Sequence, residues 1–170
     1  MENILKRRSV RKYTEQPIDY ETLKKLCYAG FAAPTARRQK SMSFVIIDDK
    51  TKLEQLSTTS SGAKMLAQAK ACIAVIGNDP NKMVTPHMQV QDLSAATQNI
   101  LLAATSLNIG SCWIGVYPIE ERMKVVNEVL NIKEGDFPFS LISLGYPLDE
   151  NAFFELHKED DNMIYHNEVK

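Results

Sequence analysis

Gln91–Gly115, QDLSAATQNILLAATSLNIGSCWIG, is the stretch on which the fold turns. Leu93, Ala96, Ile100, Ala103, Ala104 and Leu107 recur at helical spacing, which predicts one long helix from about Met88 to Asn108 with Gly110 as its C-terminal stop. Its middle, Ile100-Leu-Leu-Ala-Ala104, is apolar on every side, so this helix belongs at the centre of the molecule. Directly beyond it, Ser111 to Val116 reads as a strand that carries the chain's only tryptophan, Trp113.

Working outward, Ala71–Gly77 (ACIAVIG) is apolar throughout, the pattern of a strand covered on both faces. Ser43–Asp48 reads as another buried strand, and Phe139–Leu144 as a fourth, closed by Gly145-Tyr146-Pro147. Between them, helices are predicted over Glu2–Arg8, from an Asp19 N-cap to Ala33-Pro34, and over Ile119–Leu130, with an extended stretch ending at Pro17. About four strands among five or more helices result. No repeat or linker interrupts them, so residues 1–170 are expected to form one domain, with 148–170 a charged arm that docks on another surface through residues such as Ile164 and Tyr165.

The composition, 44% apolar and 24% charged with a formal charge of −1, fits a folded soluble chain and excludes a disordered one. A chain of 170 residues buries roughly 70% of its unfolded surface, enough for a real core. Cys27, Cys72 and Cys112 are odd in number and widely spaced, so they give neither a disulfide framework nor a zinc motif and point to a reducing compartment. With no signal-peptide pattern and no apolar run near the ~20 residues that span a bilayer, a cytoplasmic location is expected. His87, His157 and His166 form no ligand set or triad, so neither a metal site nor an obligatory acid–base residue is expected.

Against that near-neutral background, Lys6-Arg7-Arg8-Ser9-Val10-Arg11-Lys12 places five cations in seven positions. Guanidinium groups hold phosphate through paired, charge-assisted hydrogen bonds and Ser9 can add another, so one small phosphorylated ligand accounts for the run. An isolated run of this kind equally suits a solvated basic face or a nucleic-acid patch, although the charge balance elsewhere and the lack of interleaved aromatics disfavour the latter. No Gly-rich phosphate loop occurs, which argues against Rossmann and nucleotide-triphosphate sites. Two further segments have the character of ligand contacts: the loop Ala33–Ser41 between a helix and a strand, and Gly110–Val116, where Gly115 lets backbone approach a flat ligand beside Trp113.

In this order and spacing the segments ILKRRSVRKY (Ile4–Tyr13), AAPTARRQKSMSFVII (Ala32–Ile47), Gln91–Gly115, SLGYP (Ser143–Pro147) and HKEDDNMIYHNEV (His157–Val169) resemble the nitroreductase family of flavin enzymes over nearly the full length. The resemblance implies an α+β sandwich, a mainly antiparallel sheet flanked by helices, in an intertwined homodimer with FMN at the subunit interface and the C-terminal arm on the partner. It implies that Arg7, Arg8, Ser9 and Arg11, completed by Lys158, bind the FMN phosphate and ribityl oxygens. Pro34, Thr35, Ala36, Arg38 and Lys40 would reach the flavin from the other subunit, and Trp113, Ile114 and Gly115 would lie along a ring face.

This chain departs from the family pattern at Arg38, where Asn is usual, at Lys40, where Gln is common, and at Met42, where Trp is common. The implied activity is electron transfer from NADH or NADPH through FMN to nitroaromatic, quinone or similar small acceptors by a ping-pong mechanism, with the chemistry carried by the flavin. An open substrate pocket is expected from Thr58–Gly62 and Pro80–Gln91. A flavin-binding or redox-sensing module without turnover is the alternative.

Overall fold

Four antiparallel strands, β1 (Met42–Ile47), β2 (Ala71–Gly77), β3 (Gly110–Gly115) and β4 (Phe137–Gly145), form one sheet in the order β1-β2-β4-β3 in the computed structural model, which describes residues 1–155 and 160–169. Every residue of β2 is buried, because helices cover both sheet faces. Ile73, Val75, Ile142 and Leu144 pack with α2 (Tyr20–Phe31) and α4 (Gln89–Ser106) on one face. Cys72, Ala74, Ile76, Leu141 and Ile114 pack on the other beneath α3 (Lys50–Leu56), the 3-10 turns that follow it and α5 (Glu120–Leu130). The chain is thus an α+β sandwich of helices, sheet and helices.

Local signals explain most boundaries. The Asp19 carboxylate accepts from Thr22 N at 2.8 Å and starts α2. The long helix α4 ends two residues earlier than its periodicity predicts, because Asn108 takes the left-handed conformation, φ 56°, that turns the chain into β3. Asn108, not Gly110, is therefore the stop, and Leu107, expected on the core side, is 44% exposed. Gly110 instead lets the N-terminal arm approach: an added Cβ there would lie 2.7 Å from Val10 Cγ1. β4 begins at Phe137, earlier than expected, since Pro138 sits beside a β-bulge at Val75/Ile76, where a missing N–H is tolerated.

The first helix, α1, is also shorter than predicted and spans only Glu2–Lys6. Arg7 already has extended backbone, and the Arg8 guanidinium folds back to donate from Nη1 to the carbonyls of Leu5 and Arg7 at 2.7 and 2.6 Å. From there residues 9–14 run as an arm across one end of the sheet. Val10 N donates to Ser111 O at 3.0 Å, Thr14 N to Tyr146 O at 2.8 Å, and Leu148 N to Lys12 O at 3.1 Å. The buried Tyr13 hydroxyl lies 2.7 Å from both Val10 O and Ser143 Oγ. A phenol has one proton, which goes to the carbonyl, so Ser143 donates to Tyr13.

Candidate functional site

The arm positions the basic cluster. Arg8, Ser9, Arg11 and Lys12 line a cleft of about 620 Å³ whose far wall is Leu148, Ala152 and Phe154, with Asp149 at its rim. The Arg8 guanidinium stacks over the Phe154 ring at 4.4 Å from its centroid. Its Nη1 is used by the two carbonyls, but Nε and Nη2 are buried and have no partner, and neither does the buried hydroxyl of Ser111 beside Ser9. No ion pair to Arg7, Arg8 or Arg11 occurs among the described residues. A buried, partly unpaired guanidinium is costly by itself and is relieved by a bound anion. Lys158 lies outside the described residues.

Arg11 and Lys12 also form one wall of a neighbouring cleft of about 430 Å³, whose other wall brings Ser61, Gly62 and Lys64. Lys64 is indistinguishable in the sequence from a solvated lysine, and only the fold carries it to the arginines. Thr58, by contrast, faces a separate depression against α5, with Val125 and Glu128, so Thr58–Gly62 does not form one continuous wall. Cys112 lies beside the arm. Burial raises its thiol pKa, opposed by Arg11, Ser9 and Arg7, so it is held as a neutral thiol.

Along β3 the pleat separates the three residues expected at a ring face. Trp113 and Gly115 point to the α4 side, where Trp113 lies 6.1 Å from Phe139, whereas the Ile114 side chain is buried in the opposite core layer. Ile114 can offer a ligand only its backbone. An added Cβ at Gly115 would meet nothing within 4 Å, leaving open space beside the indole.

The loop before β1 is built differently. Pro34, Thr35, Arg38 and Lys40 line a cleft of about 520 Å³ bounded by Phe31, Met42 and Asn78. Its backbone is pinned by the buried Asp92 of α4, whose carboxylate accepts from Ala36 N and from Gln39 Nε2, each at 2.9 Å. Gln39 in turn accepts from Thr85 N at 3.0 Å and donates to Thr85 O at 3.2 Å. Gln89 Nε2 donates to Ser41 O at 2.9 Å and to Asn78 O, tying the same corner to α4. Neither Asp92 nor Gln89 stands out in the sequence, where each is one polar residue in the first turn of a helix.

The residues of the basic arm and those of the loop before β1 occupy opposite corners of the sheet. Ser111 pairs with Leu144 near one end of β4, whereas Met42 pairs with Gly77, opposite Phe137, at the other end and on the far edge. With strands ~4.8 Å apart and a rise of ~3.3 Å per residue, these corners lie roughly 25 Å apart within one chain.

The nitroreductase family profile matches residues 4–63 and 57–146. The chain belongs to the nitroreductase family. A nitroreductase relative from Archaeoglobus fulgidus, named "Putative NADH dehydrogenase/NAD(P)H nitroreductase", is 45% identical over 160 residues, covering 91% of each chain. The solved FMN-dependent nitroreductase of Clostridium difficile R20291 superposes with a TM-score of 0.89 at 29% identity, covering 99% of both chains. The NADPH:FMN oxidoreductase of Vibrio harveyi, solved with NAD+, shares the nitroreductase fold at a TM-score of 0.84 and 23% identity, with 99% of this chain and 77% of that one covered. No helix among the described residues is long and apolar enough to cross a membrane.

Proposed function

We propose that this nitroreductase-family chain is an FMN-dependent NAD(P)H oxidoreductase that reduces nitroaromatic, quinone or similar small acceptors, and that it works as a homodimer in the cytoplasm. The observation that carries the cofactor assignment is the buried, unpartnered Nε and Nη2 of Arg8 in a cleft shared with Ser9 and Arg11. Such donors fit the oxygens of a phosphomonoester, and the open space over Gly115 beside Trp113 fits a flat ring.

Arg7, Arg8, Ser9 and Arg11 hold the phosphate in this reading, with Lys158 completing the site. FMN held there would supply the redox chemistry between a nicotinamide donor and the acceptor. The residues of the chain position the cofactor and limit water around it. Pro34, Thr35, Ala36, Arg38 and Lys40 sit at the corner opposite the basic arm, and in this reading they contact the cofactor held by a second copy of the chain. An interface of this kind also covers Phe154, Met163 and Ile164, which are 57%, 70% and 74% exposed in the arm.

The deciding experiment is the visible spectrum of the purified protein before and after anaerobic addition of NADH or NADPH. Flavin bands that bleach support the oxidoreductase. A yellow protein inert to both donors leaves a binding or sensing module, and a colourless one that cannot be reconstituted with FMN refutes the cofactor assignment.

A further inference from the structure

The loop cleft before β1 carries cations that no ion pair among the described residues neutralises. Arg37, Arg38 and Lys40 are exposed and have no ion pair among the described residues. The nearest carboxylate in the hydrogen-bond network, Asp92, is committed to Ala36 N and Gln39 Nε2, and so serves the backbone of the loop rather than its charges. Ser41, fully buried in the lining of the same cleft, has a hydroxyl without a partner.

The backbone here is held in a conformation that arginine does not favour. Arg37 and Arg38 both have positive φ, 52° and 54°. The left-handed region costs an L-residue roughly 1–2 kcal/mol, and Asn tolerates it far better than Arg. The Asp92–Ala36 and Gln39–Thr85 bonds hold the turn against that cost. What the geometry holds in place is a pair of cations at the mouth of a cleft whose other walls, Phe31 and Met42, are apolar.

We infer that this cleft selects an electron acceptor with a flat apolar body and an anionic group, such as a carboxylate, which Arg38 and Lys40 receive. The inference rests on the reading that the loop faces FMN bound to the partner subunit. A second source of the same chemistry is the 2′-phosphate of NADPH, and the test separates the two.

The test compares 4-nitrobenzoate with 4-nitrobenzamide, which share the nitro group and nearly the same shape but differ in charge. In the holoprotein, kcat/KM for the carboxylate should exceed that for the amide by about tenfold at low salt, equivalent to about 1.4 kcal/mol. The preference should fall as salt screens it. In the R38Q/K40Q variant the ratio should drop to about one, and because both acceptors are read on the same variant, a change in flavin content cancels. A wild-type ratio of one or less, or a ratio unchanged in the variant, overturns the inference. A fall in the NADPH:NADH ratio with the acceptor ratio unchanged also overturns it and assigns the cations to the donor. If the protein neither holds FMN nor turns over, the flavin reading has failed by itself. Calorimetric titration with the same two compounds then decides the inference: carboxylate-selective binding lost in R38Q/K40Q supports it, and equal binding refutes it.

Discussion

Tyr13→Phe should loosen the N-terminal arm from the sheet without touching a single arginine. The phenol is buried, donates to Val10 O and accepts from Ser143 Oγ, both at 2.7 Å, and so closes the arm onto β4. Its ring also fills the space over Gly145, where an added Cβ would lie 2.6 Å from Tyr13 Cγ. Phenylalanine keeps that packing and removes only the hydroxyl. Two buried hydrogen bonds at about 1 kcal/mol each, with Val10 O and Ser143 Oγ left short of a partner, put the expected loss at about 2 kcal/mol.

The assay is urea unfolding at fixed protein concentration for Y13F, Ser143→Ala and the double variant. A lower midpoint with an unchanged slope is expected, together with a coupling of about 1 kcal/mol between the two positions. FMN affinity should fall in parallel, because Ser9 and Arg11 are carried on the same arm. A loss below about 0.5 kcal/mol, or additive single effects, would mean that the arm is held by its backbone bonds to Ser111, Tyr146 and Leu148 rather than by the phenol.

Arg8→Met removes the unpaired Nε and Nη2 donors together with the guanidinium stack on Phe154 and the Nη1 bonds to Leu5 O and Arg7 O, so FMN should bind at least tenfold more weakly by fluorescence titration, and an unchanged affinity would refute the phosphate role of Arg8. Asp92→Ala should cost about 2–3 kcal/mol in urea unfolding, since a buried carboxylate that accepts from Ala36 N and Gln39 Nε2 is lost; a change within 0.5 kcal/mol would show that the loop does not depend on it. Arg38→Asn should lower the flavin midpoint potential by about 30 mV, because the lost cation favours the reduced anion by about 1.4 kcal/mol; a potential unchanged in redox titration would place Arg38 away from the ring. Burial raises the Cys72 thiol from 9.0 to about 12. A raised pKa means that its contribution to stability is complete below pH 9.0 and is lost as pH climbs through about 12. Denaturation midpoints should therefore fall over that window, and Cys72→Ala should flatten the slope.

What could be read from the sequence was whatever local chemistry decides. β2 is apolar at every position because helices cover it on both sides, and α2 starts at Asp19 because that carboxylate can cap Thr22. Each such element carries its own signal. The stop of α4 is ambiguous in the sequence because Gly110 and Asn108 both suit a left-handed turn by propensity, and tertiary packing chooses between them: Gly110 is needed where Val10 crosses β3, which leaves the turn to Asn108. The start of β4 was hidden in the same way, since Pro138 is admissible in a strand only beside a bulge formed with a segment some 60 residues away.

The candidate site divides along the same line. Arg7 to Arg11 announce themselves as charge against a neutral background, but Lys64, Asp92 and Gln89 are ordinary until the fold brings them to Arg11 and to the loop. Ile114 shows the converse, a residue in the expected segment whose side chain the period-two pleat sends to the face opposite Trp113. A loop with two consecutive left-handed arginines is also invisible to propensity, because it persists only where Asp92 and Thr85 hold it from elsewhere in the chain. The cations that set this chain apart from its family pattern therefore depend on long-range hydrogen bonds, and a change at Asp92 should alter acceptor preference as surely as a change at Arg38.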